Sequence, residues 1–196
     1  MATSTSVETA LSQLTEKPAY FADCCAAISR PLIHTIIHLL PPPPTCVLSI
    51  GSGSGLLEAM ILQVTAGHQV ELFGVEVPSC VNKFLPEQHV LRVPSTTSLH
   101  SDAILAQTLL FVYPRKVSLI EDYLKTFRTG MLAQVIWYGQ KNDWPEANDL
   151  LSLFFHRVCV IDTVGVADHE LLAMASKTVN GKSATGTPHK RDMSPG

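Results

Sequence analysis

A short stretch at residues 47–58 constrains the fold of this chain more than any other part of its sequence. The largely apolar run Val47–Ile50 is followed by three glycines at alternate positions, and apolar residues at helical spacing start at Leu56. A strand, a glycine turn and a helix in this order are typical of α/β proteins that bind nucleotide-like ligands. The glycines let the backbone approach the ligand and adopt positive φ angles, and the helix start offers free N–H groups.

The spacing of the glycines distinguishes two classes of ligand. A dinucleotide-binding turn has the order G-x-G-x-x-G, but Leu56 stands at the position of its third glycine. The order here is G-x-G-x-G, and Val47–Gly55 resembles the first motif of the class I S-adenosylmethionine-dependent methyltransferases. The resemblance implies that S-adenosylmethionine is the cofactor. It also implies that the residues of this motif bind it, namely Ser49, Gly51, Ser52, Gly53 and Gly55.

A second cofactor contact is expected at the end of the next predicted strand, Val70–Val77. Glu76 lies there, 25 positions after Gly51, with Val77 beside it. A carboxylate at this place can accept hydrogen bonds from both hydroxyls of a ribose, which a nicotinamide cofactor would also require. The resemblance further implies that the loop after the third strand contacts the adenine. Ser95 and Thr96 occupy that loop, without the acid or amide that the family usually has.

The alternation of predicted elements indicates the fold class. Strand patterns at Val90–Val93, Leu109–Tyr113 and Met131–Tyr138 are separated by helical patterns, whereas Val158–Gly165 and Glu170–Ser176 have no helix between them. The last two runs therefore predict an antiparallel hairpin, with which the resembling methyltransferases end and dinucleotide folds usually do not. We expect a Rossmann-like, doubly wound, mostly parallel α/β sheet that ends in this β-hairpin. The core is predicted at residues 46–177 and a disordered tail at 178–196.

Residues 1–45 are predicted to form a helical cap and a proline spacer. Thr5 and Glu8 form a capping box, so a first helix should start near Ser6. A second helix is expected over about Tyr20–Ile28, and Pro31 either opens a third helix at its first turn or kinks one long helix, before the prolines at 41–44. The resemblance implies that such helices cover the cofactor, which makes Tyr20 a candidate substrate-binding residue.

Methyl transfer is a direct displacement, so an enzyme has to align the nucleophile, exclude water and remove a proton where needed. We expect the acceptor beyond the carboxyl ends of the strands. His169 and His100 are candidate general bases, and Tyr113 is a candidate orienting hydroxyl. Tyr138 and Arg115 are candidate substrate-binding residues, although Arg115 is equally suited to pair with an acid on the following helix.

One residue departs from the family pattern in a way that bears on activity. Ser49 stands two positions before the first glycine, where the family usually has an acid that helps to organise the ammonium end of the cofactor. A hydroxyl can take this part through a water molecule. The substitution nevertheless favours, as an alternative, a binding or structural subunit that has lost catalysis. A nicotinamide-dependent oxidoreductase is disfavoured by Leu56 and the hairpin.

Composition excludes several partners. The formal net charge of −3 gives no electrostatic footprint for nucleic acid. Phe111–Pro114 stands in place of the Asn/Asp-Pro-Pro-aromatic motif of enzymes that methylate amino groups of nucleic acids and glutamine. The cysteines and acids show no metal-binding pattern, and no membrane span or signal peptide is apparent. We therefore expect a cytoplasmic enzyme that methylates oxygen or nitrogen of a small molecule. A protein acceptor stays open, and the sequence does not indicate the oligomeric state.

Overall fold

A computed structural model describes residues 6–162 and 165–177 of the chain. Two short 3-10 helices, Glu87–His89 and Ser101–Ile104, accompany the main elements. In chain order the main elements are α1 (Val7–Ser12), β1 (Ala19–Tyr20), β2 (Ala27–Ile28), α2 (Arg30–Leu39), β3 (Thr45–Ile50), α3 (Leu56–Val64), β4 (Val70–Glu76), β5 (Val90–Arg92), β6 (Thr108–Val112), α4 (Val117–Phe127), β7 (Gln134–Gln140), α5 (Trp144–Phe154), β8 (Arg157–Val160) and β9 (Glu170–Ser176).

Seven of the strands form one sheet in the order β5-β4-β3-β6-β7-β9-β8. The first five are parallel to one another, and β9 runs antiparallel to both β7 and β8. The predicted terminal hairpin and the predicted fold class are thus confirmed. The order of the strands reverses between β3 and β6, and ligands of parallel sheets bind beyond the carboxyl ends of the strands at such a switch point.

The sheet has two buried faces, which follow from the alternation of side chains along each strand. One face packs against α4 and α5, and the other packs against α1, α2 and α3. Neighbouring residues of β7 show the division, because Trp137 belongs to the first face and Tyr138 to the second. A side chain at a strand end can therefore be assigned to one face by its register.

Between residue 6 and β3, the N-terminal cap contains two helices, α1 and α2, with Pro31 in the first turn of α2. The predicted helix over Tyr20–Ile28 is wrong, because β1 and β2 pair there as a short antiparallel hairpin. Tertiary hydrogen bonds outweigh the helical pattern, since the backbone N–H and carbonyl of Ala27 bond to Glu170 and Tyr138. We call residues 19–28 the strap.

The ends of the chain are described only in part. α1 starts after Ser6, whose hydroxyl accepts a hydrogen bond from the Thr9 N–H, whereas Thr5 of the predicted capping box lies outside the described residues. Residues 163 and 164, at the end of the predicted strand Val158–Gly165, and the predicted tail at 178–196 also lie outside the described residues. The strand that the structure has there, β8, ends at Val160. No helix within 6–162 and 165–177 has the length and apolar character of a membrane span.

Candidate active site

The glycine loop between β3 and α3 is shaped for close approach of a ligand. Gly51 and Gly53 have φ angles of +78° and +59°, which other residues rarely adopt. A Cβ atom added at either glycine would meet no atom within 4 Å, so both face open space. A Cβ at Gly55, by contrast, would lie 2.8 Å from Leu85. The first two glycines therefore form an open cradle, and the third packs against the protein.

Glu76 is fixed at the edge of this cradle by two backbone groups. The Gly53 N–H donates to Oε2 over 2.9 Å, and the Val77 N–H donates to Oε1 over 2.8 Å. Each carboxylate oxygen can accept more than one hydrogen bond, so both oxygens keep lone pairs for ribose hydroxyls. The structure brings the predicted glycines, Glu76 and Val77 together. A carboxylate that can accept hydrogen bonds beside an open backbone fits a nucleoside ligand.

The two serines of the loop face protein groups. Ser52 packs against β4 at Gly74. The Ser54 hydroxyl donates to the carbonyl oxygen of Asp23 in the strap over 2.6 Å, and the Asp23 carboxylate forms an ion pair with Lys83. The strap is therefore anchored to the glycine loop at Asp23.

The predicted adenine loop lies beyond the end of β5. Ser95 and Thr96 are exposed, and the Ser95 hydroxyl hydrogen-bonds with that of Ser98 over 2.9 Å. Arg92 of β5 braces the neighbouring loop by donating to the carbonyl oxygens of Val77 and Cys80 at 3.1 and 3.2 Å. The loops after β4 and β5 are thus held at the same sheet edge as Glu76.

Glu58 is a buried acid that the sequence reasoning missed. The Ser49 hydroxyl donates to its Oε1 over 2.6 Å, directly below the glycine loop. Burial is the main reason that the pKa of Glu58 is raised to about 7; the hydrogen bonds from Ser49 and from its own backbone N–H lower it, and the charge of Glu76 adds to the rise. The sequence did contain a signal, because Glu58 interrupts an apolar run in the first turn of α3.

A second polar cluster lies at the ends of β6, β7 and β9 and centres on Glu170, which is 1% exposed. Its Oε1 accepts hydrogen bonds from the Tyr113 hydroxyl at 2.5 Å and the Ala27 N–H at 3.0 Å. Its Oε2 accepts one from the Tyr138 hydroxyl. Burial and then the bond to Glu170 raise the pKa of Tyr113 and of Tyr138, so both hydroxyls stay protonated.

Tyr20 and His169 extend this cluster toward the surface. The Tyr20 hydroxyl lies 2.8 Å from Nε2 of His169, and the two rings stack. Tyr113 has a φ of +50°, the only positive value for a residue other than glycine in the described part of the chain. Such backbone strain is found mainly at functional positions. The structure therefore brings together four predicted residues, Tyr20, Tyr113, Tyr138 and His169, around one that sequence reasoning missed, Glu170.

Arg115 lies next to this cluster, in a groove of about 500 Å³ that also contains Tyr113, Asp143 and Glu146. Within residues 6–162 and 165–177 it forms no ion pair, so the predicted alternative of pairing with an acid on α4 is not realised. Burial raises the pKa of the Cys25 and Cys80 thiols, and the charge of Arg115 acts in the opposite direction on both.

His100 is separated from the cluster by the sheet. Its backbone N–H donates to the Tyr123 hydroxyl of α4 over 3.1 Å, and its Nδ1 accepts from the Asp102 N–H over 3.3 Å. Tyr123 packs on the face that carries α4 and α5, whereas Tyr138 belongs to the opposite face. Of the two predicted bases, only His169 therefore lies with the other candidate residues.

Comparison with known proteins supports the fold. No family model matches the chain, and no curated protein matches it in sequence. The structure is similar to an S-adenosylmethionine-dependent O-methyltransferase from Thermotoga maritima, with a TM-score of 0.63 and 13% identity over 90% of this chain and 73% of that one. It is also similar to a precorrin-6y C5,15-methyltransferase from Geobacter metallireducens, with a TM-score of 0.57 and 11% identity over 83% of this chain and 95% of that one.

A third similar structure is the hMettl16 catalytic domain in complex with an RNA hairpin. It has a TM-score of 0.56 and 13% identity over 84% of this chain and 73% of that one. These proteins differ in what they act on, so the likeness concerns the architecture and not the acceptor. The resemblance drawn from the glycine motif is confirmed for the whole sheet, and the chain has the fold of the class I S-adenosylmethionine-dependent methyltransferases.

Proposed function

We propose that the protein is an S-adenosylmethionine-dependent methyltransferase that acts on oxygen or nitrogen of a small molecule. One observation carries the proposal. The open cradle of Gly51 and Gly53, with Glu76 fixed beside it, lies at the same sheet edge as the cluster around Glu170. A cofactor half and an acceptor half are thus neighbours at the switch point of the sheet.

The cofactor half needs few side chains. The bound cofactor supplies the methyl group and the leaving group. Backbone atoms of Gly51 and Gly53 would line its path, and the Glu76 carboxylate would accept the ribose hydroxyls. Val77, Ser95 and Thr96 would border the adenine at the neighbouring loops. The protein then has to hold the acceptor in line and keep water away.

The acceptor half offers one group for each remaining task. His169 would accept the proton of the nucleophile, because imidazole is the side chain suited to this near neutral pH, and Tyr20 would orient its ring through the 2.8 Å contact. Tyr113 would position the acceptor from the strained end of β6. Arg115, which has no partner acid in the described residues, would bind an anionic group of the acceptor.

The choice of a small molecule rests on charge and on the strand end. The hMettl16 domain is similar in fold and its structure contains RNA. This chain, however, has 14 basic against 17 acidic residues, and a strand end that reads Phe111-Val112-Tyr113-Pro114. Neither feature favours a nucleic acid. A protein acceptor is the alternative that an acceptor screen has to include.

The experiment is calorimetric titration of the purified protein with S-adenosylhomocysteine, with NAD and NADP in parallel. We expect a Kd on the order of micromolar for S-adenosylhomocysteine alone, and its loss in Glu76→Ala. Methyl transfer from labelled S-adenosylmethionine to a panel of small phenols, amines and acids, with a protein extract alongside, then identifies the acceptor class. Binding of a nicotinamide dinucleotide instead, or of no ligand, would contradict the proposal.

A catalytically inactive binding subunit is the second candidate. The observation that favours it is the engagement of Glu170, whose two oxygens are already bonded to Tyr113, Tyr138 and Ala27. That carboxylate is not free to act as a base, and both tyrosine hydroxyls stay protonated. Tight binding of S-adenosylhomocysteine without transfer to any member of the panel would support this candidate.

A further inference from the structure

Glu58 lies deeper than the other acids of the cofactor half and has few partners. It is 2% exposed, and its carboxylate is bonded to the Ser49 hydroxyl and to its own backbone N–H. A buried carboxylate is costly unless a cation or several donors stabilise its charge. Among residues 6–162 and 165–177, Glu58 has neither a cation nor a full set of donors, so these residues stabilise its ionised form poorly.

The charged groups around Glu58 deepen this deficit. Glu76 of β4 raises its pKa, and the Glu58 charge in turn raises the pKa values of Cys24 and Cys25 in the strap. On the packed helices, the guanidinium of Arg30 is turned to the carbonyl oxygen of Leu14. The remaining titratable groups of those helices are exposed, namely Glu8, His34 and His38.

The position of the pair indicates what would supply the missing charge. Ser49 lies two residues before the first glycine and Glu58 three residues after the last, so the pair lies under the cradle. The strap lies near the same pair, because the Glu58 charge acts on the thiols of Cys24 and Cys25 there. A ligand whose ribose bonded to Glu76 would have its other end free to reach this pair, and in S-adenosylmethionine that end carries an ammonium group.

Building on the proposed function, we propose that Glu58 and Ser49 form the binding site for the ammonium group of the cofactor, and that binding ionises Glu58. The Ser49 hydroxyl donates a hydrogen bond to Glu58, so the lone pairs of its oxygen are free to accept a hydrogen bond from the ammonium. The proton of the Glu58 carboxyl passes to solvent, and the ammonium keeps its own. Glu58 thus provides, from α3, the charge that Ser49 does not carry on β3.

Proton release gives this assignment a direct readout. The pKa of Glu58 is raised to about 7 in the free protein, and a nearby cation would lower it. At pH 6.5 the carboxyl is therefore mostly protonated before binding, while a ligand amino group with an ordinary pKa stays charged. Binding should release roughly three quarters of a proton per ligand, the fraction that a pKa of about 7 gives at this pH.

The test is calorimetry with S-adenosylhomocysteine at pH 6.5, in two buffers that differ in ionisation enthalpy. We expect the wild-type protein to release the proton and Glu58→Gln to release none and to bind at least about tenfold more weakly, the loss typical of a hydrogen bond between charged groups. The double variant Ser49→Asp/Glu58→Ser returns a carboxylate to the strand and should recover most of the affinity. Glu71→Gln, which changes an exposed acid at the far end of β4, is the matched control.

The outcomes separate the two proposals. A wild-type protein that binds S-adenosylhomocysteine without releasing a proton, or a Glu58→Gln variant with unchanged affinity, overturns the ammonium site and leaves the proposed function intact. A wild-type protein that does not bind the ligand at all overturns both. The proton count is measured on the unmodified protein, so the test holds even if Glu58→Gln does not fold.

Discussion

Glu58 and Glu170 are both buried acids at the same sheet edge, yet their surroundings differ. Glu170 accepts hydrogen bonds from two tyrosine hydroxyls and one backbone N–H, whereas Glu58 accepts one from Ser49 and one from its own N–H. Three donors can stabilise a buried charge, and a single hydroxyl with a backbone group does so less well. The hydrogen bonds within the protein therefore stabilise Glu170, whereas the described partners of Glu58 stabilise its charge only in part.

The same contrast extends to the two halves of the site. In the cofactor half, Gly51 and Gly53 face open space, and Glu58 has no cation beside it among the residues that the structure describes. In the acceptor half, Tyr113, Tyr138 and Glu170 bond to one another and to the strap. The cofactor half is open for a ligand, whereas the side chains of the acceptor half are already joined by hydrogen bonds. The following predictions test this difference, from the largest expected effect to the smallest.

The largest effect is expected from Gly53→Arg, which puts a long side chain into the open cradle. Binding of S-adenosylhomocysteine should fall by more than about 1000-fold, or about 4 kcal/mol, because the side chain occupies the ligand's path. Gly67→Arg is the matched control, since Gly67 also has a positive φ and open space around it but lies in the turn after α3. Equal loss of affinity in both variants would show that backbone strain, and not the cradle, is responsible.

Glu170→Ala should destabilise the protein by about 3 kcal/mol, because it leaves buried donors of the strap and of β6 and β7 without their acceptor. The measurement is urea unfolding of the ligand-free protein at pH 7. Binding of S-adenosylhomocysteine by the folded variant should weaken far less than in Glu58→Gln. A larger loss of affinity in Glu170→Ala would mean that the two halves are not separable.

Glu58→Gln should make the stability of the protein less dependent on pH. The pKa of Glu58 is raised from 4.5 to about 7 by folding, so stability is fully present below pH 4.5 and is lost as the pH rises through 7. The cost reaches about 3 kcal/mol at pH 8 in the ligand-free protein. Urea unfolding at pH 5 and pH 8 should show this decline in the wild-type protein and a smaller one in Glu58→Gln. Parallel curves for the two proteins would contradict the assignment.

The smallest effect is expected at the exposed edge of the acceptor half. Tyr20 is 58% exposed, so Tyr20→Phe removes its contact with His169 at a cost of less than about 0.5 kcal/mol. Tyr138→Phe also removes a tyrosine hydroxyl, but from a fully buried side chain, and should lower the free energy of unfolding by about 1 to 2 kcal/mol. Thermal unfolding of the two variants measures the difference. Equal losses of stability in the two variants would show that the exposed hydroxyl of Tyr20 contributes as much as the buried hydroxyl of Tyr138.

Much of the architecture could be predicted because it depends on local patterns. The glycine spacing and the two final strand runs indicated the sheet and its antiparallel end. The rule that ligands lie at the carboxyl ends of strands led to Glu76, Tyr113, Tyr138 and His169. Boundaries shifted by a few residues, as in β7, which starts at Gln134 and not at Met131.

The parts that could not be predicted depend on contacts between distant segments. The strap has a helical pattern, but Ala27 gains hydrogen bonds to Glu170 and Tyr138, which are more than 100 residues away in the chain. An acid in the first turn of a helix is normally an exposed capping partner, so Glu58 could be recognised only once its burial was known. His100 and His169 were alternative bases in the sequence analysis, and spacing along the chain does not reveal that His100 lies beside Tyr123, on the face that carries α4 and α5.

The strap also determines the thiol chemistry of the protein. Burial raises the pKa of Cys24 to about 12, so only about one thiol in 10⁵ is ionised at pH 7. Alkylating reagents and disulfides react with the thiolate, so the half-buried Cys24 thiol reacts slowly in this position of the strap. Lifting the strap would return the thiol to water and restore its ordinary reactivity. The rate at which a thiol reagent labels Cys24 therefore reports how often the strap moves away from this position.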